Sequence, residues 1–187
     1  MNIFNERTAL LIIDMQKAFV EQGAAHCIAG AKATIPAINE TIREARGAGA
    51  PVFWIKREYR ADGSDVEFTR EGAWLAGGRT MAPGSTGINS AELAEGLTAQ
   101  PGDYQIIKPR WSAFFQTELD LILRRKEIDT VILTGTTTPN CIRTTCYDAI
   151  AMDYRTIVIE CCCSSQTEEI QRVNMEDMER IGAEIIR

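Results

Sequence analysis

Six short apolar runs punctuate the 187-residue chain, at 9–13, 52–55, 104–107, 130–133, 156–159 and 183–186. They are mostly β-branched and continuous rather than alternating, the pattern of a strand covered on both faces. Amphipathic stretches lie between them, and their spacing predicts helices over roughly 33–48, 89–97, 115–126, 141–152 and 167–181. Strands alternating with helices predict an α/β protein, a parallel sheet held between two helical layers as an α/β/α sandwich. The least regular region is 57–88. Its glycines, Pro83 and Trp74 mark an ordered, lid-like excursion rather than a linker, within a single domain spanning 1–187.

In open parallel sheets, ligands bind beyond the carboxyl ends of the strands. The first run ends at Asp14, the third at Lys108, and the fourth enters the turn TGTTTPNC, which closes on Cys141. A carboxylate, an ammonium and a thiol therefore fall at one edge. Taken singly, Asp14 also reads as a helix cap or a solvated strand end, and Lys108 as a solvated strand end before Pro109. Cys141 reads either as a small buried residue or as a thiol on the first turn of a helix. There the macrodipole and free N–H groups favour the thiolate. Gly135 and Pro139 favour the second reading, because they suit a tight turn into a helix. Such a turn also leaves backbone N–H groups free to converge on one oxygen.

Composition narrows the function. The formal charge is −6, and the most basic run is Arg124-Arg125-Lys126, so a nucleic-acid surface is excluded. No apolar run approaches the roughly 18 residues of a membrane span. Charge before the first apolar run and Asp14 within it argue against a signal peptide. Six cysteines without paired CxxC spacing, three of them contiguous at Cys161, Cys162 and Cys163, read as reduced thiols of a cytoplasmic protein. In the triplet, neighbouring strand residues face opposite ways, so buried packing is expected rather than a redox or metal device.

The segments TALLIIDMQKAFV (8–20), IIKPRWSAFFQTELDLILRRKEIDTVILTG (106–135) and TTTPNCIRTTCYDAIAMDYRTIVIE (136–160), with the terminal SSQTEEIQ and NMEDMERIGAEII, resemble the isochorismatase-like cysteine hydrolases. This superfamily includes nicotinamidases and N-carbamoylsarcosine amidases. The resemblance implies a six-stranded parallel, Rossmann-like sheet and a catalytic triad of Asp14, Lys108 and Cys141. It further implies a cis peptide at Thr136–Thr137, and an oxyanion hole made by the backbone N–H groups of Thr137 and Cys141. Thr136 departs from the aliphatic residue frequent there, and Cys161 stands where an aspartate is common. Homo-oligomers, dimers or tetramers, are usual among such proteins.

The activity so implied is hydrolysis of a small amide, carbamoyl or ureido C–N bond through a thioester. Phe19 and Trp111 are candidate pocket walls, Arg143 a candidate partner for a substrate carboxylate, and Tyr59 and Trp74 weaker candidates. Nicotinamidases of the superfamily carry an Asp-x-His…His metal site after the second strand. The corresponding VFWIKREYRADGSD has no histidine, and His26 is the only one in the chain. No metal or other cofactor is therefore expected, and nicotinamide is disfavoured as substrate. Two alternatives stand beside this reading: isochorismatase-type vinyl-ether hydrolysis, against which the thiol counts, and a non-catalytic scaffold retaining the site.

Overall fold

The computed structural model of the chain describes residues 3–187. Six strands form one parallel sheet in the order β3-β2-β1-β4-β5-β6: β1 (Thr8–Ile13), β2 (Val52–Arg57), β3 (Tyr104–Lys108), β4 (Thr130–Thr136), β5 (Arg155–Ser164) and β6 (Glu184–Ile186). The order reverses between β1 and β4, which pair in register from Thr8 opposite Thr130 to Ile13 opposite Gly135. That reversal opens a crevice at their carboxyl ends.

Alternate residues of the central strands enter separate cores. Ala9, Leu11 and Ile13 pack with Leu119 and Leu123 of α4 (Leu119–Arg125), Cys146 and Ala149 of α5 (Arg143–Ala151), and Met175 and Met178 of α6 (Glu168–Arg180). Leu10 and Ile12 face the other way, toward Ile38, Ile42 and Ala45 of α2 (Ile35–Gly47). With apolar cover on both sides, these strands gain nothing from polar alternation, which explains their unbroken hydrophobic runs. The edge strand β3 departs from that pattern, since Gln105 and Ile107 are exposed.

Helix boundaries differ from the sequence expectation where the backbone finds other partners. No helix forms over 89–97. There the Leu93 backbone bridges antiparallel to Gln16, Lys17 N–H donates to the Glu92 carbonyl, and Ala94 N–H donates to that of Met15. Tertiary pairing thus overrides a helix-favouring composition. The 57–88 excursion contains a short helix, α3 (Glu71–Ala76), and α1 (Lys17–Val20) is one further turn. α6 begins where Thr167 caps it, its hydroxyl accepting from Ile170 N–H at 3.2 Å.

β5 extends through the whole cysteine triplet. Cys162 and Cys163 enter opposite cores, as alternation requires, with Cys162 Sγ 3.3 Å from Thr41 Oγ1. Cys161 is exposed, correcting the expectation that all three are buried packing.

Candidate active site

The site begins with register. On adjacent strands, Arg57 of β2 lies opposite Lys108 of β3. One strand over, the chain turns just past Ile13. Asp14 adopts a positive φ of 52° there, and its N–H donates to the Ile55 carbonyl at 2.9 Å. Three strand ends thus bring Asp14, Arg57 and Lys108 to one edge, all essentially excluded from solvent.

β4 supplies the fourth group. After Thr136 the peptide to Thr137 is cis, and residues Thr138–Ile142 form a single π-helical turn that leads into α5. Cys141 therefore sits on this wide turn, two residues before the α-helix, rather than on the helix's own first turn. The turn is anchored from β5: the hydroxyls of Thr137 and Thr138 donate to the Ser164 carbonyl at 3.3 and 3.0 Å.

Lys108 joins the parts. Its Nζ donates to Asp14 Oδ2 at 2.8 Å and to the Arg110 carbonyl at 3.1 Å, and lies 3.6 Å from Cys141 Sγ. Asp14 Oδ1, buried beside them, has no hydrogen-bond partner among the described residues. Buried carboxylate oxygens are seldom left unpaired, so this one is poised to take a proton or meet a ligand.

The Cys141 thiol is 4% exposed, and its pKa is pushed up to about 11. Burial is the largest cause and the Asp14 carboxylate the next, while the Lys108 and Arg57 charges pull the other way. The sequence expectation of a thiolate favoured by a helix start is corrected. At neutral pH the resting group is a thiol, because desolvation and a carboxylate outweigh two cations.

Above the thiol lies a pocket of about 270 Å³, whose walls include Phe19, Trp111, Thr137 and Cys141. His26 joins them, its ring 5.8 Å from that of Phe19. Burial first, then the Arg70 and Arg57 charges, lower the His26 pKa and favour the neutral imidazole. Among the described residues no three His, Cys, Asp or Glu side chains converge as a metal site would need.

Arg143 lies elsewhere. Its guanidinium is 3.3 Å from Asp177 and donates to Asn174 Oδ1 at 3.2 Å, both on α6, so it does not line this pocket. Tyr59 and Trp74 pack edge-on to each other at 5.9 Å within the excursion.

Sequence reasoning missed Arg57 and Arg70, which both reach the pocket. Arg57 Nη1 donates to Glu67 Oε1 at 2.7 Å and to the Tyr59 hydroxyl at 3.0 Å, and that hydroxyl donates to Glu67 Oε2 at 2.9 Å. Burial alone would lower the Arg57 pKa, but Asp14, Cys141, Tyr59 and Glu67 more than offset it, and the guanidinium stays charged. A charged residue ending a strand was the available signal, the same one that marked Asp14 and Lys108.

Comparison with known proteins places the chain as a whole. The crystal structure of an isochorismatase family protein from Desulfovibrio vulgaris superposes with a TM-score of 0.92 at 41% identity, covering 97% of this chain and 94% of that one. A protein of Arabidopsis thaliana named a probable inactive nicotinamidase is 39% identical over 94% of this chain and 89% of its own. The ureidoacrylate amidohydrolase RutB of Azorhizobium caulinodans is 32% identical over 86% of this chain and 77% of its own. The Isochorismatase domain model matches residues 8–187, nearly the whole length, and the chain belongs to that family.

Proposed function

We propose that this protein is a cysteine-dependent amidohydrolase that cleaves a small amide, carbamoyl or ureido C–N bond through a thioester. The observation that carries the reading is the contact of Lys108 Nζ with both Asp14 and Cys141 beneath a pocket of substrate size. A relative named for amidohydrolysis supports the reaction class.

Cys141 begins as a thiol, so attack and proton transfer must be coupled. Asp14 accepts the thiol proton as Sγ bonds to the substrate carbonyl carbon, and the carbonyl π electrons move to oxygen. The backbone N–H groups of Thr137 and Cys141 receive that oxyanion; losing one such donor costs about 3–4 kcal/mol in other enzymes. Protonated Asp14 then gives its proton to the departing nitrogen as the C–N bond breaks, leaving the thioester. Water, deprotonated by the same carboxylate, attacks the thioester carbonyl, and the acid leaves as Sγ regains a proton. Throughout, Lys108 offsets the charge that passes between Asp14 and sulfur. A vinyl-ether hydrolase has no use for the thiol, and a scaffold has no use for a buried, incompletely paired carboxylate.

The test is release of ammonia from a panel of small amides, ureido acids and carbamoyl amino acids. Cys141→Ala is expected to abolish release while keeping the wild-type fold, since a methyl group removes the nucleophile and little volume. Asp14→Asn is expected to be equally inactive. Near-wild-type release by pure Cys141→Ala would end the thiol mechanism.

A further inference from the structure

Arg57 is a buried cation whose guanidinium is only partly hydrogen-bonded. It is 1% exposed, and while Nη1 is paired, Nε and Nη2 have no hydrogen-bond partner among the described residues. Those two nitrogens form one edge of the guanidinium fork, the edge that pairs side-on with a carboxylate. A buried charge left this way is costly unless something completes its hydrogen bonding.

Arg70 lines the same pocket. Its guanidinium lies 5.4 Å from the centre of the Trp111 ring, and that of Arg57 lies 5.9 Å from the same centre. The Arg70 side chain is 43% exposed, and its nearest carboxylate oxygen, on Glu67, is 4.0 Å away. It is held near the pocket without being committed to a short ion pair.

Charge balance points the same way. Around the pocket, Arg57, Arg70 and Lys108 face Asp14 and Glu67. Burial and the neighbouring guanidinium charges favour the neutral His26 imidazole, and burial favours the Cys141 thiol, so three cations face only two carboxylates. Among the described residues no carboxylate lines the pocket itself. A monoanion would restore neutrality, which favours a carboxylate over a doubly charged phosphate.

We propose that Arg57 and Arg70, flanking Trp111, form a carboxylate-binding subsite beside Cys141, so that the substrate is an amide or ureide bearing its own carboxylate. The substrate half rests on the amidohydrolase reading above; the anion subsite does not. Arg57 supplies fixed charge from below, set in place by Glu67 and Tyr59, and the freer Arg70 closes on the anion from the rim. The role that the sequence pattern gave to Arg143 thus falls to two other arginines.

A matched pair of probes separates the two halves: 3-ureidopropionate and its methyl ester, which differ in the charge and one methyl group. Each is titrated for protection of Cys141 against iodoacetamide, read by mass spectrometry of the Cys141 peptide. Exposed Cys161 in the same sample reports the reagent. The acid is expected to protect at a concentration about tenfold or more below that of the ester. Arg70→Met, at a half-exposed position, is expected to abolish that advantage, with each variant's protection referred to its own unprotected alkylation rate; Arg57→Lys should reduce it in part. If the acid is hydrolysed, the Arg70→Met defect should fall more on KM than on kcat. Equal protection by acid and ester, no protection by either, or a preference that survives Arg70→Met would each overturn the subsite. Protection by the acid without ammonia release from any compound of the panel would uphold the subsite and remove the amidase reading.

Discussion

At the residue scale, the thiol defines what the site must do. A cysteine held at about 11 by burial and a neighbouring carboxylate carries almost no thiolate at neutral pH, so its reactivity depends on Asp14 taking the proton. Alkylation of Cys141 without substrate should therefore climb steadily from pH 8 through the ordinary thiol range and level off only near pH 11, because the folded pKa is the raised one. Lys108→Met removes a cation that lowers this pKa, so the climb should move to still higher pH. Rates at the Cys141 peptide against pH would show both; an unshifted profile in a folded Lys108→Met variant would take Lys108 out of the site. Asp14 and Lys108 were legible as candidates because each ends an apolar run with a charge too costly to bury idly, and Cys141 because the turn TGTTTPNC leads to it from another such run. Arg57 has the same position, but its meaning comes from Glu67 and Tyr59, whose convergence no spacing in the sequence encodes. The thiol's protonation was likewise illegible: a helix start is local, whereas the opposing carboxylate arrives from a different strand.

At the element scale, the strand ends are fixed by how closely β1 and β4 approach. Gly135 has φ of 108°, and a Cβ there would stand 2.1 Å from the Ile13 carbonyl oxygen. Backbone cannot retreat as a side-chain tip can, so both the conformation and the space demand glycine. Gly135→Ala should destabilise the fold by about 3–5 kcal/mol and displace Cys141 relative to Asp14. Urea denaturation would measure it, and a midpoint within error of wild type would show that the two strands can part cheaply. All six strands were readable, and for β1, β2, β4 and β5 the continuous apolarity has one physical cause, cover on both faces. β3 and β6 are covered less completely, since both are edges. The helix expected over 89–97 failed for the opposite reason. Its composition favours a helix, yet its backbone groups are spent on the segment after β1, a long-range pairing that composition does not register.

At the scale of the whole molecule, the sheet and the 57–88 excursion are tied through one buried ion pair. Arg57 belongs to β2 and Glu67 to the excursion, and both are nearly inaccessible. Val66, Trp74 and Met81 pack around the hydroxyl-bridged pair as a small core of their own. The wall of the pocket is therefore coupled to the sheet by charge as well as by apolar contact. Glu67 has its pKa lowered: burial opposes the charge, but Arg57, its backbone and the Tyr59 hydroxyl overcome that. A carboxylate depressed by folding contributes stability that is present above its unfolded pKa and lost as pH falls through the folded one. Acidification below about pH 4 should accordingly release the excursion before it unfolds the sheet. Glu67→Gln should mimic that state at neutral pH, leaving Arg57 buried and uncompensated, at a cost of about 3–5 kcal/mol. Limited proteolysis is the direct measurement, with early cuts expected between residues 58 and 88 while the sheet persists. Wild-type resistance in Glu67→Gln would mean that the apolar contacts alone hold the pocket wall, and that Arg57 does not need its partner to remain in place.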